Sequence, residues 1–133
     1  MQKMIVTYGI ALALFLVVDF VWLGAVAREF YKARLGALLS PSPNWTAAAL
    51  FYLFYAAGLL FFAVQPALRG HSWRIALLNG AALGFIAYGT YDFTNLATIR
   101  NWSLALTLAD LAWGTVLSAL VATLAYTFSA SLA

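Results

Sequence analysis

Four blocks of nearly continuous apolar sequence divide this chain, at about Met4 to Val26, Thr46 to Gln65, Ile75 to Thr98 and Ser103 to Phe128. Crossing roughly 30 Å of hydrocarbon takes about 20 such residues in a helix, and each block is long enough. A helix satisfies its own backbone polar groups, which a bilayer cannot do for it, so helical spans are the physical default. The polar breaks set the connectivity. "QPALRGHSWR" (65–74) carries Pro66 and Gly70 as breakers, and "IRNW" (99–102) is shorter still. Spans joined by so few residues are antiparallel neighbours. The pattern therefore predicts an all-α fold, an integral membrane four-helix bundle with antiparallel up-down spans, formed by residues 1–133 as a single transmembrane domain. Four spans in that order put both termini on the same side.

The first connection is longer. "AREFYKARLGALL" (27–39) has helix-forming composition, with Tyr31, Leu35 and Leu38 on one face and Arg28 and Lys32 on another. Arg34 interrupts the apolar face. The segment is either an interfacial helix or a continuation of the first span past Gly24. "SPSPN" (40–44) then ends it. Asn44 is placed to cap the second span and Asn101 the fourth.

Composition agrees with a membrane location. The chain is 65% hydrophobic and 8% charged, where a soluble domain carries roughly a quarter charged residues. Five Trp and seven Tyr fit belts at the two membrane faces. The absence of cysteine excludes disulfides, thiolate metal sites and Cys nucleophiles. The net charge of +3 comes from scattered bases with no basic run. That excludes a nucleic-acid reading and suits contact with anionic lipid heads, so the lipid bilayer is the expected partner. Lys3, an apolar stretch and "AVA" (25–27) also resemble a signal peptide. The apolar run exceeds the usual 7–15 residues or so of such a segment and contains Asp19, so it reads as a retained first span. Basic residues do not orient the bundle. Lys3, Arg69 and Arg74 lie on the side of the termini, against Arg28, Lys32, Arg34 and Arg100 on the other.

The acids carry the candidate chemistry. Glu29 lies just outside the first span. Asp19 and Asp92 lie six or seven residues before the first and third spans end, and Asp110 about seven after the fourth begins. Those three points belong to one membrane face. At 1.5 Å per residue, all three aspartates sit roughly 10 Å below it. Asp19 shares a helix face with Trp22, Asp110 with Thr107 and Trp113, and Asp92 with Tyr88 and Asn95, flanked by Tyr91 and Thr94. An ionised Asp at mid-membrane costs about 2.5–3.5 kcal/mol on insertion scales, so the three should face inward. There they repel one another unless a proton, a cation or an arginine intervenes. Arg28, Arg34 and Arg100 are the charge partners within reach of that face. In the plainer reading these pairs are interfacial staples. In the functional one, Asp19, Asp92, Asp110, Tyr88, Tyr91, Asn95, Trp22 and Trp113 line a ligand or cation pocket in which one carboxyl keeps its proton near neutral pH.

Other motifs add less. His71 is the one histidine and lies at the opposite face, which excludes a Ser-His-Asp site with the aspartates. A metal at the aspartates would meet oxygen ligands alone, which favours a hard cation such as Mg²⁺ or Ca²⁺ over zinc; no metal site or cofactor is assigned. "GAALG" (80–84) reads as close helix packing within the bundle. "NWT" (44–46) and "NWS" (101–103) match glycosylation sequons, but helix caps beside interfacial Trp explain both. "DFVWL" (19–23) and "DFTNL" (92–96) are each followed by an arginine and then by NW[TS]. That order suggests a tandem helical-hairpin repeat related by an axis along the membrane normal.

"PNWTAAALFYLFYAAGL" (43–59), "YDFTNLATIRNW" (91–102), "DLAWG" (110–114) and "DFVWLG" (19–24) together resemble a family of small bacterial membrane proteins, the domain of unknown function twenty-one seventy-seven. The resemblance covers nearly the whole chain. It implies a multi-pass protein of about four helices in the bacterial inner membrane and brings no catalytic residue, cofactor or activity with it. Three functions fit the residues. The first is a binding or transport protein for a cation, proton or small ligand, with Trp rings covering an organic cation; transport through so narrow a bundle would call for a homodimer. The second is a membrane-embedded lipid-modifying enzyme using one aspartate as acid and another as base. The third is an accessory subunit of a larger complex.

Overall fold

The computed structural model describes residues 1–132, and all of their regular structure is helical. Helix α1 (Gln2–Val21) passes into a π-turn (Trp22–Val26), closed by Ala27 N–H donating to Trp22 O at 2.7 Å. The first helix does not simply continue. Backbone angles at Ala27 (φ −111°, ψ 4°) leave the helical region, and α2 (Arg28–Leu35) starts in a new direction that brings it against the last helix. Gly36, at φ 54°, ends α2 in a conformation that favours glycine, and a 3-10 turn (Gly36–Leu38) follows.

Helix α3 (Trp45–Leu59) begins where expected, with Asn44 Oδ1 accepting from Ala47 N–H at 3.1 Å. It runs through a second π-turn (Leu60–Val64) into α4 (Gln65–Gly70), past the Pro66 that the sequence suggested would end it. Proline has no N–H to give the carbonyl four residues back. That carbonyl, Phe62 O, instead accepts from Asn79 Nδ2 at 3.0 Å, and the wider π-turn takes up the ring. His71 then turns the chain at φ 49°. Helices α5 (Trp73–Thr98) and α6 (Leu104–Ser131) follow, and their mutual packing is the most extensive in the molecule. Asn101 does not cap α6. It occupies the turn at φ 63°, and Ser103 Oγ takes the capping role, accepting from Leu106 N–H at 3.0 Å.

Three continuous helices are long and apolar enough to cross a membrane: Gln2–Val26, Trp45–Gly70 and Leu104–Ser131. Helix α5 has the length, about 39 Å for its 26 residues. Its apolarity falls short because Asn79, Gly80, Gly84, Gly89, Tyr88, Asp92 and Asn95 interrupt it. Several of these are what bind it to α6. A Cβ at Gly80 would lie 2.7 Å from Ser118 O, and one at Gly84 would collide with Gly114 O and Ser118. Gly114 in turn lies under the Tyr88 ring. Small residues let helix backbones approach where lipid supplies no hydrophobic drive. The core follows the same rule. Ala11, Ala63, Ala67, Ala76, Ala122 and Ala125 surround Phe15, Leu59, Val64, Leu117 and Val121. Large side chains such as Phe54, Phe61, Phe85 and Ile86 point outward, as lipid-facing residues do.

Candidate functional site

Asp19, near the end of α1, is 6% exposed. Tyr52 of α3 donates its O–H to Oδ2 at 2.7 Å, and Trp113 Nε1–H of α6 donates to Oδ1 at 3.3 Å. One carboxylate therefore ties three helices together. Asp110 of α6 is half-buried and accepts from the Tyr31 O–H at 2.6 Å. Tyr31 comes from α2 and itself accepts from Trp22 Nε1–H at 3.3 Å. The π-turn that carries Trp22 and the bend at Ala27 make this chain of bonds reachable. Burial, and then the bond to Asp110, hold the Tyr31 phenol above its ordinary range.

Trp22 and Trp113 stack face to face, with centroids 4.2 Å apart and planes 8° off parallel. Their inner faces are occupied by one another, and neither lines the cavity described below. Their N–H groups orient Tyr31 and Asp19.

Asp92 of α5 is the most enclosed of the three, at 1% exposed. Neither of its oxygens receives an N–H or O–H from any described residue, and the Asp110 carboxyl lies beside it. The three aspartates do not gather around one point. Among the described residues no group of three acids, histidines or cysteines is close enough to hold a metal ion. Arg28, Arg34 and Arg100 are exposed, with the Arg34 guanidinium 5.4 Å over the Phe30 ring. The donors that reach Asp19 and Asp110 are phenols and indoles, not guanidinium groups.

These groups border a half-open cavity of about 580 Å³. Asp19 and Asp110 line it with Tyr31, Tyr52, Tyr88, Tyr91, Phe51, Leu23 and Ala87. Tyr88 is fixed by its contact with Gly114 and packs edge-on to Tyr55, whose hydroxyl is 2.6 Å from Ser118 Oγ. Tyr91 stands more than half exposed at the rim, edge-on to Trp102. Asn95 is half-buried one turn beyond Tyr91 and does not line the cavity. Sequence reasoning missed Tyr31, Tyr52 and Phe51. Tyr52 falls in "FYLFY" (51–55), a run that resembles an aromatic belt, and Tyr31 lies outside every span.

Long apolar helices wrapped around buried carboxylates define an integral membrane protein. Residues 4–127 match the family described as "Predicted membrane protein (DUF2177)". The chain belongs to that family. No curated protein and no solved structure matches it significantly.

Proposed function

We infer that the protein binds a small organic cation in the cavity between α1, α3, α5 and α6. The observation that carries this reading is the pairing of two carboxylates with five aromatic rings around one space of about 580 Å³. That volume suits a small-molecule ligand. Negative charge with aromatic ring faces is the chemistry that attracts quaternary ammonium and related cations, at about 0.5–2 kcal/mol per ring contact. A compact metal ion is less well served, since the carboxylates do not converge.

In this reading α5 is the fourth span of an antiparallel up-down bundle. Supporting this are its length, the two short turns around it, and a packing order in which Gly80, Gly84 and Gly89 meet Ser118, Gly114 and Leu111 in turn. Both termini then lie on one side, and the bacterial inner membrane is the setting. A homodimer would widen the path if the ligand is transported.

The test compares binding of tetraphenylphosphonium with that of an uncharged analogue of the same shape, to purified protein in nanodiscs. The reading expects the cation to bind at least tenfold more tightly, with the preference lost in Asp19→Asn. Equal binding of both compounds, or a preference that survives removal of the Asp19 charge, rejects a cation site. New lipid products on incubation with the nanodisc lipids would point to the enzymatic alternative.

A further inference from the structure

Asp92 differs from Asp19 and Asp110 in that nothing donates to it. It is 1% exposed, and both oxygens lack an N–H or O–H partner among the described residues. An ionised carboxylate offers about four acceptor sites. Burying it with all of them empty and no counter-ion beside it is very costly. A protonated carboxyl needs only one acceptor for its O–H, and the Asp110 carboxyl is adjacent. Two carboxyl side chains attract rather than repel when a single proton lies between them. The surrounding groups supply no competing positive charge. Tyr91 of α5 and Tyr31 of α2 lie near both carboxyls, and Tyr88 of α5 and Asp19 of α1 lie near Asp110; none of them carries a positive charge. Arg28, Arg34 and Arg100 are exposed.

Asp110 belongs to both settings. It lines the cavity, whereas Asp92 lies behind it and does not. We propose that Asp92 and Asp110 hold one proton between them and that a cation entering the cavity displaces it, so that uptake of one cation releases one proton. This rests on the reading of the cavity as an organic-cation site. The charges balance. The empty pair carries one proton and one negative charge. The bound cation takes over the neutralisation, the shared O–H bond breaks, and the proton leaves through the open side of the cavity to the buffer that the dye reports on. No oxidant, reductant or further reactant is involved. Proton and cation then compete for one site, which is the elementary step of exchange across a membrane.

Two measurements on the wild-type protein test this. The first is infrared absorption of the protein in nanodiscs at pH 7, without ligand. A protonated-carboxyl C=O band is expected, absent in Asp92→Asn. Its absence from the wild type overturns the shared proton whatever the cavity binds. The second is proton release on adding tetraphenylphosphonium, which brings no proton of its own, followed with a pH dye in weak buffer. About one proton per bound cation is expected, with affinity rising about tenfold per pH unit through the exchange range, and loss of the infrared band on binding. Cation binding with the band intact and no proton released overturns the exchange while leaving the cation site standing. No cation binding at all rejects the cation site and the exchange with it, and the infrared band then reports on the proton alone.

Discussion

Tyr52→Phe isolates one hydrogen bond of the site. The ring remains in its edge-on contact with Phe15, with centroids 5.4 Å apart, and beside Phe51, so packing is conserved. What is lost is the 2.7 Å bond from the hydroxyl to Asp19 Oδ2. Asp19 is then left with the longer 3.3 Å bond from Trp113. A hydrogen bond to a charged group contributes about 1.5–3 kcal/mol in soluble proteins. Within membranes double-mutant cycles average about 0.6 kcal/mol and reach about 1.7. Asp19 is nearly enclosed and has two donors in all among the described residues, so the upper end applies, about 1–1.7 kcal/mol. The assay is unfolding by sodium dodecyl sulfate from mixed micelles, for wild type, Tyr52→Phe, Asp19→Ala, which removes the acceptor, and the double variant. The expected coupling energy is about 1 kcal/mol or more. Additivity to within about 0.5 kcal/mol, the value for sites that do not interact, would refute the claim that Asp19 ties α3 to α1.

Further outcomes follow from the same geometry. Gly114→Ala puts a methyl where the Tyr88 ring lies; overpacking of this kind costs about 1–3 kcal/mol, which thermal unfolding should show, while Gly9→Ala, with open space around it, should be near neutral. Asn79→Ala strands Phe62 O beside Pro66, and about 1 kcal/mol of stability should go with it, recoverable in Pro66→Ala. Trp22→Phe breaks the face-to-face indole stack and the bond to Tyr31; excitonic near-ultraviolet circular dichroism should vanish with it, and persistence of that signal contradicts the stack. Tyr31 keeps its proton above the ordinary phenol range when folded. Its stabilising effect is therefore complete below about pH 10, where the unfolded phenol titrates, and is lost as pH rises beyond that. Unfolding midpoints of wild type and Tyr31→Phe should converge at high pH; parallel curves contradict this.

The helices were legible because bilayer-length apolar runs leave few other structures open. Asn44 as a cap and Gly80/Gly84 as a close contact were legible too, since each depends on a local preference. The π-turns were not. Leu60–Val64 widens just before Pro66, and within it Phe62 O is taken by Asn79, far along the chain; no local signal reports such a partner. The same limit applies at the site. Counting residues from span ends marked Asp19, Asp92 and Asp110, but their partners depend on how the helices are rotated. Tyr52 and Tyr31 reach carboxylates 33 and 79 positions away in sequence. Trp22 and Trp113 are legible by their spacing from the aspartates, but their stacking on one another is not, since it depends on how the two helices meet. Length marks α5 as a span. Gly80, Gly84 and Gly89, which weaken that assignment by composition, pack on α6, and Tyr88 borders the cavity.

On the reading proposed above, the space beside Asp19 and Asp110 holds an organic cation. Photolabelling with a diazirine-bearing quaternary ammonium compound, followed by peptide mapping, tests it at the level of residues. Label is expected on Phe51 and Tyr52 and on the 87–91 segment, reduced by excess tetraphenylphosphonium and by Asp19→Asn. Label distributed over outward residues such as Phe54, Phe61 and Phe85, and indifferent to competitor, would contradict it.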